Sequence, residues 1–188
     1  MLTAYIALGG NIPSRMGPPE ETLVAAVARL QLLGRVTARS SLYSTEPVGY
    51  ADQPRFVNAV VALETDLQPR ALLERLLDIE KEFGRDRATG IPNGPRSLDL
   101  DIVLYGEHTI NEPGLEIPHP RLAERAFVLV PISEIAPQIR DSRSGKTMTQ
   151  LLDSLRDQDK SDTNAVVSLE NRSWRASIDG GVARSDQK

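Results

Sequence analysis

The sequence predicts an α+β protein of the ferredoxin-like kind, an antiparallel sheet with two helices packed on one face. Two amphipathic segments, residues 20–33 and 69–83, show apolar residues at helical spacing. Strand-type segments lie before, between and after them, giving the order strand, helix, strand, strand, helix, strand. The last of these strands, residues 98–105, carries two aspartates at alternate positions, so one face of the sheet presents paired carboxylates.

Residues 3–8 read as a short buried strand ended by the turn Gly9-Gly10-Asn11, and a loop rich in Gly and Pro spans residues 12–19. In the first helical segment Leu23, Val27 and Leu30 recur on one face, acidic residues open it and Gly34 is expected to close it. Residues 35–43 alternate as one strand, and residues 56–65 form the next after a loop bearing Pro47, Gly49 and Pro54. Leu72, Leu76, Ile79 and Phe83 share a face of the second helix, with Gly84 as its stop. In the strand that follows, Leu98, Leu100, Ile102 and Leu104 are expected on the buried face. Residues 121–135 predict a helix broken at Pro131, and residues 148–155 a short amphipathic one. From residue 157 the composition turns polar. Residues 157–188 are therefore expected to be mostly disordered and dispensable, with at most a marginal strand at 165–169.

A chain of 188 residues that is 40% hydrophobic suits one domain with a real core, here residues 1–156. Its net charge of -4 argues against a generic nucleic-acid binder. The absence of cysteine excludes disulfides and thiolate metal sites. There is no apolar run of membrane-spanning length, and a cytoplasmic monomer without membrane or nucleic-acid partners is expected.

The chemistry concentrates in Gly94-Pro95-Arg96-Ser97-Leu98-Asp99-Leu100-Asp101-Ile102. Asp99 and Asp101 sit roughly 6–7 Å apart along a strand, on the face opposite the leucines. Such a pair repels itself unless it surrounds a hard cation such as Mg²⁺, which takes oxygen ligands and commonly bridges protein carboxylates and substrate phosphates. Arg85, Arg87 and Arg96 precede the pair, and the planar arginine fork suits phosphate oxygens. Together they read as a metal–phosphate clamp. Other matches are decoys. Ser144-Gly145-Lys146-Thr147 resembles the end of a P-loop, but the required earlier glycine is Arg140, so a turn is expected. His108 reads as a surface residue, and Asn171-Arg172-Ser173 matches a glycosylation sequon with no secretion signal to give it meaning.

The Gly-Pro-Arg-x-x-Asp-Leu-Asp-Ile run resembles the signature of the 6-hydroxymethyl-7,8-dihydropterin pyrophosphokinases of folate synthesis. The likeness extends in order over residues 3–155, through Tyr5-Ile6-Ala7-Leu8-Gly9-Gly10-Asn11, Ser41-Leu42-Tyr43-Ser44-Thr45-Glu46-Pro47-Val48-Gly49, Asp52-Gln53-Pro54-Arg55-Phe56-Val57-Asn58-Ala59, Ile117-Pro118-His119-Pro120-Arg121 and Arg125-Ala126-Phe127. It implies an αβ sandwich with extra helices covering the second sheet face. The implied reaction transfers the β,γ-pyrophosphoryl unit of ATP to the hydroxymethyl group of the dihydropterin. By the same resemblance Asp99 and Asp101 hold two Mg²⁺ ions, Arg85 and Arg96 are catalytic, and Arg87, His119 and Arg125 contact ATP. Glu80 and the backbone of Ile102 match positions near the adenosine. Asn58 matches the residue that hydrogen-bonds the pterin, Phe56 and Phe127 the aromatics that sandwich it, and Thr45 and Val48 backbone contacts to it. The sequence departs from the family pattern at Asn93, where some members carry a tryptophan, at Glu46, often proline, and at Gly114 and Glu116, where some carry basic or hydroxyl groups. A Mg²⁺-dependent nucleotidyltransferase using the same aspartates is the competing enzyme reading. An RNA-binding module of the same fold needs aromatics and a basic surface that a chain with 4% aromatic residues and net negative charge does not offer.

Overall fold

The computed structural model describes residues 1–50, 52–85, 93–158 and 165–176. Its centre is the long strand pair β1 (Leu2–Gly10) and β4 (Phe56–Thr65), antiparallel from Leu2↔Thr65 to Gly10↔Val57. β4 is rich in β-branched residues and buried over nine of its ten positions, as a central strand covered on both faces must be. β5 (Asp99–Tyr105) pairs with the other edge of β1, while β2 (Arg35–Arg39) and β3 (Leu42–Thr45) pair with β4. These pairings give the split topology that the element order predicted.

Helices α1 (Pro19–Leu30) and α2 (Pro69–Glu82) pack on one face. Leu23, Leu30, Leu72 and Leu76 meet Ile6, Val61, Leu63 and Leu100 there, all of them buried. Gly84, at φ 87°, takes the left-handed conformation that ends α2. Helices α3 (Ala126–Ile135) and α4 (Met148–Asp157) cover the second face, where Leu129, Ile132, Leu151 and Leu155 pack on Val60, Val103 and Leu104. Helices thus lie on both faces, and the surface on which an RNA-binding module of this fold stacks bases is covered here. No helix of the described residues is long and apolar enough to cross a membrane.

Several expectations are corrected. The strand expected over residues 35–43 is two strands, because Ser40 turns its hydroxyl onto the Ser41 carbonyl and accepts from the Val60 amide, interrupting the ladder. Leu104 does not share the face of Leu100 and Ile102. The β1–β5 register shifts between Tyr5 and Ile6, opposite Leu104 and Ile102, so Val103 is an extra residue and Leu104 turns to the α3 side. Helix α3 continues through Pro131, which lies buried in the packed face. The break falls upstream at Arg125, whose extended backbone (φ -112°, ψ 96°) separates α3 from a 3₁₀ turn at Leu122–Glu124.

In the tail the marginal strand expected at 165–169 forms, and a helix follows it that was not expected. β8 (Val167–Leu169) pairs antiparallel with β3, and α5 (Arg172–Ala176) buries Trp174 to 4% exposure. An unpaired strand edge and one large aromatic suffice to hold this segment, although it has no sustained apolar face. A hairpin of β6 (Ile110–Glu112) and β7 (Leu115–Ile117), turning at Gly114, was not predicted. The P-loop decoy is a turn. Thr147 accepts from the Gln150 amide and caps α4 in a reciprocal capping box. Asn171 of the sequon likewise accepts from the Trp174 amide at the start of α5.

Candidate active site

Register places the site. Asp99 lies opposite Gly9, and Gly9 opposite Asn58; two pairs further along, Asp101 lies opposite Ala7. These residues face the α3 side at the end of the sheet that α3 leaves uncovered. Because Gly9 has no side chain, the row from Asp99 to Asn58 is open in the middle. A Cβ there would stand 2.6 Å from Asn58 Oδ1, and one on Gly10 would stand 2.4 Å from the Ser97 carbonyl. The two glycines therefore admit both the amide and the loop carrying Arg96.

The resulting cleft, about 840 Å³ with its open mouth, brings Asp99, Asp101, Arg96 and Arg125 together with Thr45, Val48, Phe56, Asn58 and Phe127. It has two ends. At the charged end Asp99 pairs with Arg85 Nη1 and, at 2.8 Å, with Arg96 Nε, while Asp101 lies 3.5 Å from Arg125 Nη1. At the other end the Asn58 amide donates to Thr45 Oγ1 at 2.7 Å. Phe56 and Phe127 line the same cleft, each beneath a guanidinium: Arg96 lies 4.6 Å from the Phe56 centroid and Arg125 5.5 Å from that of Phe127. The same arginines thus connect the carboxylates to the aromatic slot.

Other predicted residues stand behind this surface. Glu80 is 1% exposed on α2, where it accepts from Arg85 at 2.7 Å and from the Leu100 amide at 2.8 Å. It anchors Arg85 and β5 from below instead of lining the cleft. Ile102 is buried among the helices of the opposite face. His119 donates its amide to the Val103 carbonyl, and its ring Nε2 lies 3.3 Å from Arg125 Nη1, so it supports Arg125. Arg87 lies outside the described residues. Arg85 also stands beneath the lining, held between Glu80 and Asp99.

Electrostatics follow from this crowding. Burial works against the Arg85 charge, but Asp99, Glu80 and Asp101 more than offset it and its pKa is raised. Burial lowers that of Arg125, against the attraction of Asp101. Burial and then the charges of Arg125 and Arg121 push His119 down to about 4, so its ring is neutral near pH 7.

Two residues at the cleft were not candidates from the sequence. Asn11 is 4% exposed: its Nδ2 donates to Gln53 Oε1 and the Pro54 carbonyl, and its Oδ1 accepts from the Arg96 amide. Gln53 in turn donates to the carbonyls of Tyr50 and Asn93. This bracket ties three loops around the cleft mouth. Arg121 also lines the cleft. Asn11 and Arg121 lie in motifs that drew attention, but nothing local shows that loops distant in sequence converge on them.

A carboxylate pair and guanidiniums beside an aromatic–amide slot, in a ferredoxin-like sandwich, define a phosphoryl-transfer enzyme for a flat polar substrate. The particular family follows from comparison with known proteins. Residues 5–137 match the model of the 7,8-dihydro-6-hydroxymethylpterin-pyrophosphokinase family, and the chain belongs to it. It is 45% identical over 150 residues to the 2-amino-4-hydroxy-6-hydroxymethyldihydropteridine pyrophosphokinase of Pseudomonas aeruginosa, covering 79% of this chain and 88% of the relative. It is 46% identical over 147 residues to the Bacillus subtilis protein of the same name, covering 77% and 84%. A Plasmodium falciparum HPPK-DHPS crystal structure superposes with a TM-score of 0.68 at 16% identity, over 85% of this chain and 46% of that one. At that identity the likeness concerns the fold.

Proposed function

We propose that the cleft transfers pyrophosphate from ATP to 6-hydroxymethyl-7,8-dihydropterin, giving the pterin diphosphate and AMP in folate biosynthesis. Family membership supports the reaction. The observation that supports the assignment of roles is that one cleft is lined both by the Asp99–Asp101 pair with Arg96 and Arg125 and by Asn58, Phe56 and Phe127.

The carboxylates fit Mg²⁺. Asp99 and Asp101 are hard oxygen donors that line the cleft from one strand face, and they would hold the ion beside the phosphates. Two ions are proposed. When bound, they neutralise the triphosphate and orient it for in-line displacement. The protein's own part is positioning and charge. Arg85, Arg96 and Arg125 oppose the negative charge that spreads over the transferred group, with Arg87 and His119 assigned to the ATP side, as are Glu80 and Ile102 through the strand and helix they hold. The pterin lies between Phe56 and Phe127 with its edge on Asn58, whose amide both gives and accepts hydrogen bonds, and Thr45 and Val48 form the rim. Its hydroxymethyl oxygen attacks the β-phosphorus and gives up its proton to solvent. An O–P bond forms as the bond from that phosphorus to the α–β bridging oxygen breaks, and the electron pair departs on AMP.

Product identity tests this reading. In a mixture of ATP, Mg²⁺ and the pterin alcohol, phosphorus NMR is expected to show AMP and a pterin diphosphate appearing in equal amounts. ADP as the main nucleotide, or free pyrophosphate with an adenylated pterin, contradicts it.

A further inference from the structure

Residues 165–176 lie beyond the matched stretch, which ends at 137, yet they reach the rim of the cleft. β8 pairs with β3 through Leu42↔Leu169, Tyr43↔Ser168 and Ser44↔Val167. Beyond it, Trp174 Nε1 donates to the Ser40 carbonyl at 2.8 Å, and the ring lies 4.8 Å from the Arg39 guanidinium. At the other end of β8, the Ala165 carbonyl accepts from Arg55 Nη2 at 3.0 Å. The same guanidinium donates to Ser44 Oγ at 2.8 Å and to the Ser44 carbonyl at 3.3 Å, and its Nη1 pairs with the Glu46 carboxylate. Ser44 and Glu46 bracket Thr45, whose hydroxyl accepts the Asn58 amide.

We propose that this C-terminal strap positions the pterin-side rim of the cleft, and that Arg55 is the positioning residue through which it acts; the proposal rests on the cleft being the pterin site, as argued above. β3 has only four residues, and without β8 its outer edge has no partner among the described strands. Adding β8 fixes that edge. The arginine fork then spans three separate groups: a strap carbonyl, the strand, and the carboxylate of a cleft-lining residue. Arg55 and Glu46 are 42% and 59% exposed, so their ion pair alone contributes little. The effect is one of order. With Thr45 held, the Asn58 amide keeps Nδ2 on Thr45 and presents Oδ1 over Gly9, and less freedom is lost when the ring binds. The ATP end shares none of these contacts.

The test is steady-state kinetics on the full chain, on Arg55→Ala and Arg55→Lys, and on a chain ending at residue 164. Emission of the sole tryptophan reports whether the strap remains docked. The wild-type chain must first show pterin-dependent AMP formation; failure there overturns the cleft reading, whereas the strap proposal is judged on the variants. Arg55→Ala is expected to raise the KM for the pterin about tenfold and to leave kcat and the KM for ATP within about twofold. Tryptophan emission stays unchanged. Arg55→Lys behaves like Arg55→Ala, because charge without the fork cannot span the three groups. The shortened chain shows the same selective rise, and adding Arg55→Ala to it raises the pterin KM no further. An unchanged pterin KM in Arg55→Ala, an equal rise for both substrates, or additive effects overturns the proposal. If the shortened chain fails to fold, Arg55→Ala decides alone.

Discussion

At the scale of single residues, the two aspartates differ in what they do for the fold. Asp99 has a side chain only 18% exposed, set against Arg85 and Arg96, whereas that of Asp101 is 36% exposed and stands 3.5 Å from Arg125. Both substitutions to asparagine are expected to remove turnover. Asp99→Asn should also cost about 1–3 kcal/mol of ligand-free stability, since it leaves partly buried arginines short of a counter-charge. Asp101→Asn should cost less, because its side chain is the more exposed of the two. A parallel set of activity assays and melting curves checks this, and near-normal turnover in either variant contradicts the metal assignment. Arg96 bridges Asp99 and the Phe56 ring, so its charge should matter most as the pyrophosphoryl group moves. Arg96→Ala is expected to lower kcat by about 10²–10³ with little change in KM; an effect confined to KM argues against that role. His119 gives a pH signature. Its ordinary value is 6.5 and burial holds it at about 4 in the folded chain, so between those values the unfolded chain binds more protons. Stability is therefore lost as the pH falls through this window and is unaffected by this ring above it. In His119→Gln the drop in melting temperature from pH 6.5 to 4 should be shallower than in the wild type. Equal slopes would mean that the ring titrates normally.

At the scale of elements, what was legible in the sequence was what repeats within an element. The heptad-like spacing of Leu72, Leu76, Ile79 and Phe83, with Gly84 beyond, locates α2 within one residue, and β4 spans the same residues as its pattern. The carboxylate strand was legible because alternation survives from Asp99 to Ile102. It fails at Val103, where an inserted residue changes face without any change in residue type. Residues 165–169 were legible only as a marginal strand; where it would pair, and that Trp174 would be buried beyond it, depends on an open strand edge far away in sequence. The bracket of Asn11, Gln53 and Asn93 escaped for the same reason: an amide in a loop does not reveal which loops it will join. Gly10 shows how an element boundary serves the site. Gly10→Ala places a Cβ 2.4 Å from the Ser97 carbonyl, so the loop carrying Arg96 must shift. The expected result is a large loss of kcat with the fold retained by circular dichroism; full activity would show that the close approach is not needed.

At the scale of the whole molecule, the sandwich divides its labour between faces. The α1–α2 side carries one apolar cluster, and Glu80 reaches from it to hold Arg85 and β5 in place. The α3–α4 side covers the opposite face but stops short of the Gly9 row, and the uncovered end becomes the cleft. The Asp99–Asp101 pair on β5 and Asn58 on β4 thus line one cleft with β1 between them, and Arg96 and Arg125 reach from the carboxylates to the aromatic rings. A crystal structure with Mg²⁺, the pterin alcohol and an ATP analogue whose α–β bridging oxygen is replaced by methylene tests this arrangement most directly. The pterin is expected between Phe56 and Phe127 with its edge on Asn58, and its hydroxymethyl oxygen about 3–3.5 Å from the β-phosphorus, in line with the methylene bridge. A pterin bound outside that slot, or an oxygen aimed at the α-phosphorus, would contradict the account.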